Sequence, residues 1–93
     1  MQIVRGTKYL KKLQEIMSFI AKDSVNQAVK FQIDLDELID SISCMPYKFR
    51  ESIYFDNENI RDLVFKRYVI PYKIDTIKNQ ITIISINKYQ KKL

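Results

Sequence analysis

The apolar residues of this chain change period once, at Pro46, and that switch divides it into a helical front and a strand-rich back. From Thr7 to Lys22, Leu10, Leu13, Ile16, Met17 and Ile20 recur at helical spacing, so they share one face of a helix that Thr7 can cap. Ser24 with Gln27 has the form of a capping box, and Ala28, Phe31, Leu35, Leu38, Ile42 and Met45 then step by three and four. A second helix is predicted from about Val25 to Cys44. Pro46 stops it, because the residue before a proline is pushed out of the helical region. Only Asp23 and Ser24 separate the helices, so they must fold back as an antiparallel hairpin.

Beyond Pro46, the runs Asn59 to Lys66, Tyr68 to Ile74 and Gln80 to Asn87 are rich in Ile, Val, Tyr, Phe and Thr and are parted by short polar breaks. They read as consecutive antiparallel strands. In the last run Ile81 and Ile83 occupy one face and Ile84 and Ile86 the other, which predicts a central strand covered on both sides. Gln2 to Arg5 is short and β-prone and can close the sheet as an opening strand. The predicted fold class is α+β: an N-terminal strand and a helical hairpin packed on a three- to four-stranded antiparallel sheet. Two positions go against local preference. Pro71 lies inside the middle run and cannot donate a ladder hydrogen bond, which predicts a bulge or an unpaired edge. Lys66-Arg67 forms a tight turn where glycine or asparagine would be easier.

With 93 residues and 46% hydrophobic content, one domain over residues 1–93 is expected. No linker composition interrupts it, and fraying is expected only at Gln90 to Leu93. Met1 to Arg5 lacks the apolar run of a secretory signal, no segment approaches a bilayer span, and a cytoplasmic protein is expected. Histidine is absent and Cys44 is alone, which removes disulfide and zinc chemistry and the usual nucleophile–base pairs. No cofactor or metal is expected, and Cys44 is expected to be a small buried hydrophobe.

The net charge of +5 is unevenly held. Residues 1 to 46 carry six basic and six acidic groups, whereas residues 47 to 93 carry ten basic and five acidic ones. The whole excess therefore lies on the strand-rich half, which fits a polyanionic target or an acidic partner and equally an ordinary basic surface. The candidate target-binding residues are Arg50, Arg61, Lys66, Arg67, Lys73 and Lys88. The acidic stripe Asp36, Glu37 and Asp40 on the second helix reads as a solvated face, or as a dock for a basic segment. Tyr68 and Tyr72 alternate on one strand face and are expected to pack.

Taken in order, the runs Ile20-Ala21-Lys22-Asp23-Ser24 with Ala28 and Phe31, Pro46-Tyr47-Lys48-Phe49-Arg50, Ile60 to Lys66, Tyr68 to Asp75 and Ile81 to Ile86 resemble the RelE/ParE superfamily of bacterial toxins from type II toxin-antitoxin pairs. The resemblance covers nearly the whole chain and implies the same α+β fold. It also implies a growth-inhibiting toxin, of the kind linked to plasmid stabilization, neutralised by a cognate antitoxin that wraps the helices and sheet. The RelE-like branch is a ribosome-dependent mRNA endonuclease; the ParE-like branch poisons DNA gyrase without cutting nucleic acid itself.

Cutting RNA without metal or histidine would need a base, an acid and cations to hold the phosphorane charge. A lysine could be the base, arginines the clamp and a tyrosine the acid. By resemblance the RelE-like set would be Lys48, Arg50, Arg61, Lys88 and Tyr89, although Asn87-Lys88-Tyr89 lacks the arginine usual at that strand end. Arg50 beside Glu51 and Arg61 beside Asp62 can equally be paired surface groups. The long second helix and the incomplete set place the sequence nearer the ParE-like branch, with the ribosome-dependent endonuclease and a stand-alone nucleic-acid-binding module as alternatives.

Overall fold

The computed structural model describes residues 1–89, so the expected fraying of Gln90 to Leu93 lies outside the described residues. Strand β1 (Gln2–Arg5) leads into helix α1 (Thr7–Ala21), and a three-residue turn returns the chain as α2 (Val25–Ser41). Ser24 caps α2, its Oγ accepting the Gln27 N–H at 3.2 Å. Thr7 does not cap α1. The capping position is Gly6, and it has no side chain to offer; its N–H donates instead to the Ile83 carbonyl at 2.9 Å. α2 ends three residues before the predicted Cys44. The hydroxyls of Ser41 and Ser43 donate back to the carbonyls of Leu38 and Asp40, at 2.6 and 2.9 Å, and i→i−3 bonds tighten the chain from Ile42 onward.

The strand-rich half forms β2 (Arg50–Glu51), β3 (Ile60–Phe65), β4 (Tyr68–Asp75), β5 (Gln80–Ile83) and β6 (Asn87–Lys88). Among the described residues the sheet has six strands in the order β1-β5-β4-β3-β2, with β6 also paired to β4. It is larger than expected, and it is mixed, because β1 runs parallel to β5. The expected third antiparallel strand, Gln80 to Asn87, is two strands separated by Ile84–Ile86. Pro71 explains the break. Its carbonyl accepts the Ile84 N–H at 2.9 Å, but the return bond of that pair needs the N–H that proline lacks, and the β4–β5 ladder stops there. On its other side Pro71 keeps register opposite Asp62 without a bulge. The freed chain stays on the same edge of β4 and rejoins it with one extra residue, pairing Lys88 with Tyr68, so the bulge expected at Pro71 lies on the β5–β6 side.

Both helices cover one face of the sheet. Tyr9, Leu13, Phe31, Leu35, Ile39 and Ile42 meet Leu63, Ile70, Tyr72, Ile74, Ile81, Ile83 and Ile86 in one core. Each such Leu or Ile contributes on the order of 1.5–3 kcal/mol by leaving water. The face of α1 is the predicted one through Leu13, Ile16, Met17 and Ile20 and departs from it only at its start, where Tyr9 is fully buried and Leu10 is half exposed. β5 is central as expected, and Ile86 returns to the same core as Ile81 and Ile83 only because the strand breaks before it. Tyr72 packs in the core and Tyr68 against it, its ring edge-on to Phe31, as their alternation predicts. Met45 and Cys44, the last of the predicted helix, are exposed, so Cys44 is not the buried hydrophobe expected of it. Two members of the acidic stripe have a structural duty: Asp36 and Asp40 both meet the Arg5 guanidinium, at 3.5 and 3.4 Å, and tie β1 to α2. Among the described residues, no helix is long and apolar enough to cross a membrane.

Candidate target-binding groove

The two-residue turn between β3 and β4 brings Lys66 and Arg67 against the end of the helical hairpin where α1 turns into α2. Lys66 takes φ = 53°, a left-handed conformation that a β-carbon disfavours. Its ammonium lies 5.5 Å from the centre of the Phe31 ring and 5.3 Å from that of Phe65, close enough for both ring faces to attract it. β6 adds Lys88, and the Tyr89 N–H donates to the Arg67 carbonyl at 2.6 Å, fixing β6 to the turn. From α2 comes Lys30. The four cations line one groove of about 500 Å³, together with Ile20, Gln27, Phe31 and Tyr68. Among the described residues none of the four takes part in a salt bridge, and no acid lines the groove. Four like charges on one concave surface repel one another and concentrate a positive field, so the groove is arranged to accept negative charge.

Three of the expected target-binding residues thus come together: Lys66, Arg67 and Lys88. Lys73 does not join them, because it pairs opposite Ile60 and Thr82 while Tyr72 and Ile74 on either side of it face the helices. Arg50 and Arg61 are also elsewhere, and both are engaged. The Arg61 Nε donates to the Glu58 carbonyl at 3.1 Å and its Nη1 to that of Phe49 at 3.2 Å, with the guanidinium 5.0 Å from the Tyr47 ring. The Arg50 Nη2 lies 3.7 Å from the buried Asp62 carboxylate. Neither arginine pairs with its sequence neighbour: Arg50 meets Asp62, and Arg61 meets backbone carbonyls. The Lys48 ammonium lies 5.7 Å from the Phe49 ring.

The proposed RNA-cutting set is accordingly divided. Arg61 stands opposite Tyr72 and Lys88 opposite Tyr68, and four residues of extended β4 span about 13 Å. Lys88 and Tyr89 therefore belong to the groove end of the sheet, and Lys48, Arg50 and Arg61 to the other. A buried tyrosine near the second cluster is no acid for it either: burial pushes the Tyr72 hydroxyl up to about 12 against the opposing pull of Arg61, and this hydroxyl donates to the Pro46 carbonyl at 2.6 Å.

The chain matches, over residues 6–92, the family model described as the ParE toxin of type II toxin-antitoxin system, parDE. The chain belongs to the ParE toxin family. Its fold is similar to that of a chain from the chromosomal ParDE TA system from P. aeruginosa, with a TM-score of 0.77 and 15% identity over 97% of this chain and 97% of that chain. Comparison with curated proteins gave no match. The groove of this ParE toxin contains one cation that sequence reasoning missed. Lys30 lies in the charge-neutral front half, and the signal that could have found it is its place beside Phe31, one turn after Gln27, on the α2 face that meets the β3–β4 turn.

Proposed function

We propose that this toxin inhibits growth by binding DNA gyrase in the cytoplasm, without cutting nucleic acid itself, and that a cognate antitoxin keeps it inactive. The observation carrying this reading is the separation of the RNA-cutting candidates: a base, a clamp and an acid divided between two ends of a sheet cannot act on one phosphate. Membership of the ParE family points the same way. The groove of Lys30, Lys66, Arg67 and Lys88 is the surface that holds the gyrase–DNA complex, whose polyanionic component matches its charge.

The test compares two cell-free reactions. With purified gyrase and supercoiled plasmid the toxin should cause gyrase-dependent DNA cleavage, weakened by combined Lys66→Gln, Arg67→Gln and Lys88→Gln substitution; with ribosomes and messenger RNA it should leave the message intact. Codon-phased cuts in the message that Arg61→Ala abolishes, with gyrase unaffected, would replace this reading by the ribosome-dependent endonuclease.

A further inference from the structure

A second surface lies on the loop Ser52–Asn59, between β2 and β3. Ile53, Tyr54 and Phe55 are consecutive there and 62%, 50% and 41% exposed, although each is large enough to serve a core. Three large apolar side chains exposed side by side in one loop form the kind of contiguous patch that another molecule covers. The loop is also built to hold its shape. The Ile53 N–H donates to Oδ2 of Asp62 at 3.1 Å, the Tyr54 N–H to the Ser52 hydroxyl at 3.2 Å, and the Asn59 N–H to the Asn57 side chain at 2.9 Å. Asp62 is 1% exposed, and its Oδ1 has no hydrogen-bond partner among the described residues. A buried carboxylate is costly to retain, so one that holds the base of an outward-facing loop argues that the loop's conformation matters. Beside it, Tyr47 is half exposed, its hydroxyl bonds Asn59 at 3.3 Å, and Arg61 stacks on its ring, which extends the surface with residue types enriched where proteins bind most tightly.

The charges identify the occupant. Within Ser52–Asn59 the charged residues are Asp56 and Glu58, both acidic and exposed, with exposed Glu51 just before them, while the arginines at the base of the loop are engaged, Arg50 with Asp62 and Arg61 with the Glu58 and Phe49 carbonyls. Negative rims repel phosphate, so nucleic acid and anionic lipid are the wrong partners for this loop. We infer that the Ser52–Asn59 loop is a protein-docking site, distinct from the cationic groove, which inserts Ile53, Tyr54 and Phe55 into an apolar hollow rimmed by lysine or arginine on a partner protein. A preorganised aromatic cluster of this kind loses little conformational freedom on binding. This inference does not depend on gyrase being the target.

The experiment titrates the isotopically labelled full chain with four defined probes and follows its amide resonances. The first is an amphipathic helical peptide with a leucine face flanked by arginines; the second replaces the arginines with glutamates, the third the leucines with serines, and the fourth is a single-stranded DNA oligonucleotide. The first probe should shift the amides of residues 53–58, and Tyr54→Ser with Phe55→Ser should weaken it at least tenfold while leaving the melting temperature unchanged. Loop shifts of equal size with the glutamate peptide, the serine peptide or the oligonucleotide would overturn the inference, as would no loop shift with the first. Asp62→Asn keeps an acceptor for the Ile53 N–H and should bind like the parent, whereas Asp62→Leu should bind more weakly and exchange the Ile53 amide faster. Parent-like binding by Asp62→Leu despite fast exchange would remove the bracing role.

Discussion

Replacing Tyr72 by Phe tests how the junction between the helical half and the sheet is held. The Tyr72 ring is fully buried, and its hydroxyl reaches 26 residues back along the chain to donate to the Pro46 carbonyl at 2.6 Å. Phenylalanine keeps the ring and removes that bond, so at pH 7 the variant should be less stable by about 1–2 kcal/mol, the cost of a lost hydrogen bond and a partly buried unpaired carbonyl. The pH dependence is more discriminating. Burial pushes the Tyr72 hydroxyl from 10.0 up to about 12, so folding favours its neutral form. That contribution is whole below pH 10 and is lost as the pH rises through 12. Two pH units correspond to about 3 kcal/mol, which the parent loses and Tyr72→Phe does not. Urea unfolding at intervals from pH 7 to 12 should therefore show the parent's advantage hold to about pH 10, then shrink and reverse. A gap that stays constant across that range would mean that the hydroxyl is not held neutral by the fold, and would refute the reasoning.

The same substitution at Tyr9 should act in the opposite sense: its hydroxyl is buried with no hydrogen-bond partner among the described residues, so Tyr9→Phe should be neutral or stabilising by up to about 1 kcal/mol in a denaturant melt. Gly6→Ala would put a β-carbon 2.8 Å from the Ile83 carbonyl oxygen, a backbone atom already receiving the Gly6 N–H, and should cost about 1–3 kcal/mol by the same measurement. Lys66→Gly relieves about 1–2 kcal/mol of left-handed backbone strain and gives up about 0.5–1 kcal/mol of cation–ring attraction, so stability should hold or rise while gyrase-dependent cleavage weakens. Destabilisation of Lys66→Gly by more than 1 kcal/mol would make this lysine a packing residue. Arg61→Ala should lower stability by about 1–2 kcal/mol, because two carbonyls lose their donor, and should leave gyrase-dependent cleavage near the parent level.

The helical hairpin and the strand-rich half were legible because one-sided burial imposes a period, and period survives in the sequence whatever the details of packing. The phase of the period was less secure. Tyr9 and Leu10 are neighbours, either could lead the α1 face, and which one is buried is decided by how α1 seats on the shared core rather than by α1 itself. The parallel β1–β5 pairing and the rejoining of β6 were not legible, since both depend on partners far along the chain. Pro71 gave the one local sign of the break. Its consequence appears only when β5 is known to be the strand that needs its missing N–H.

The cationic surface proposed to bind the target was foreshadowed in the sequence by the sign of its charge, but its assembly was illegible there, for a physical reason. Charge counted along the chain says how much cation a half holds, but convergence is set by which strand ends share an edge. The break at Pro71 is what carries Lys88 back beside Tyr68, and the hairpin turn is what sets Lys66 over Phe31; neither neighbour is near in sequence. Arg50 and Arg61 belong to the same cation-rich half, yet Asp62 and two backbone carbonyls take up their donors, so an arginine counted as free charge becomes part of the scaffold. The converse holds for Lys30, hidden in a half whose charges cancel: two of that half's six acids, Asp36 and Asp40, are taken by Arg5, and Lys30 faces a groove that no acid lines. Net charge by segment is thus informative about partners only after the ion pairs within the fold have been removed from the sum.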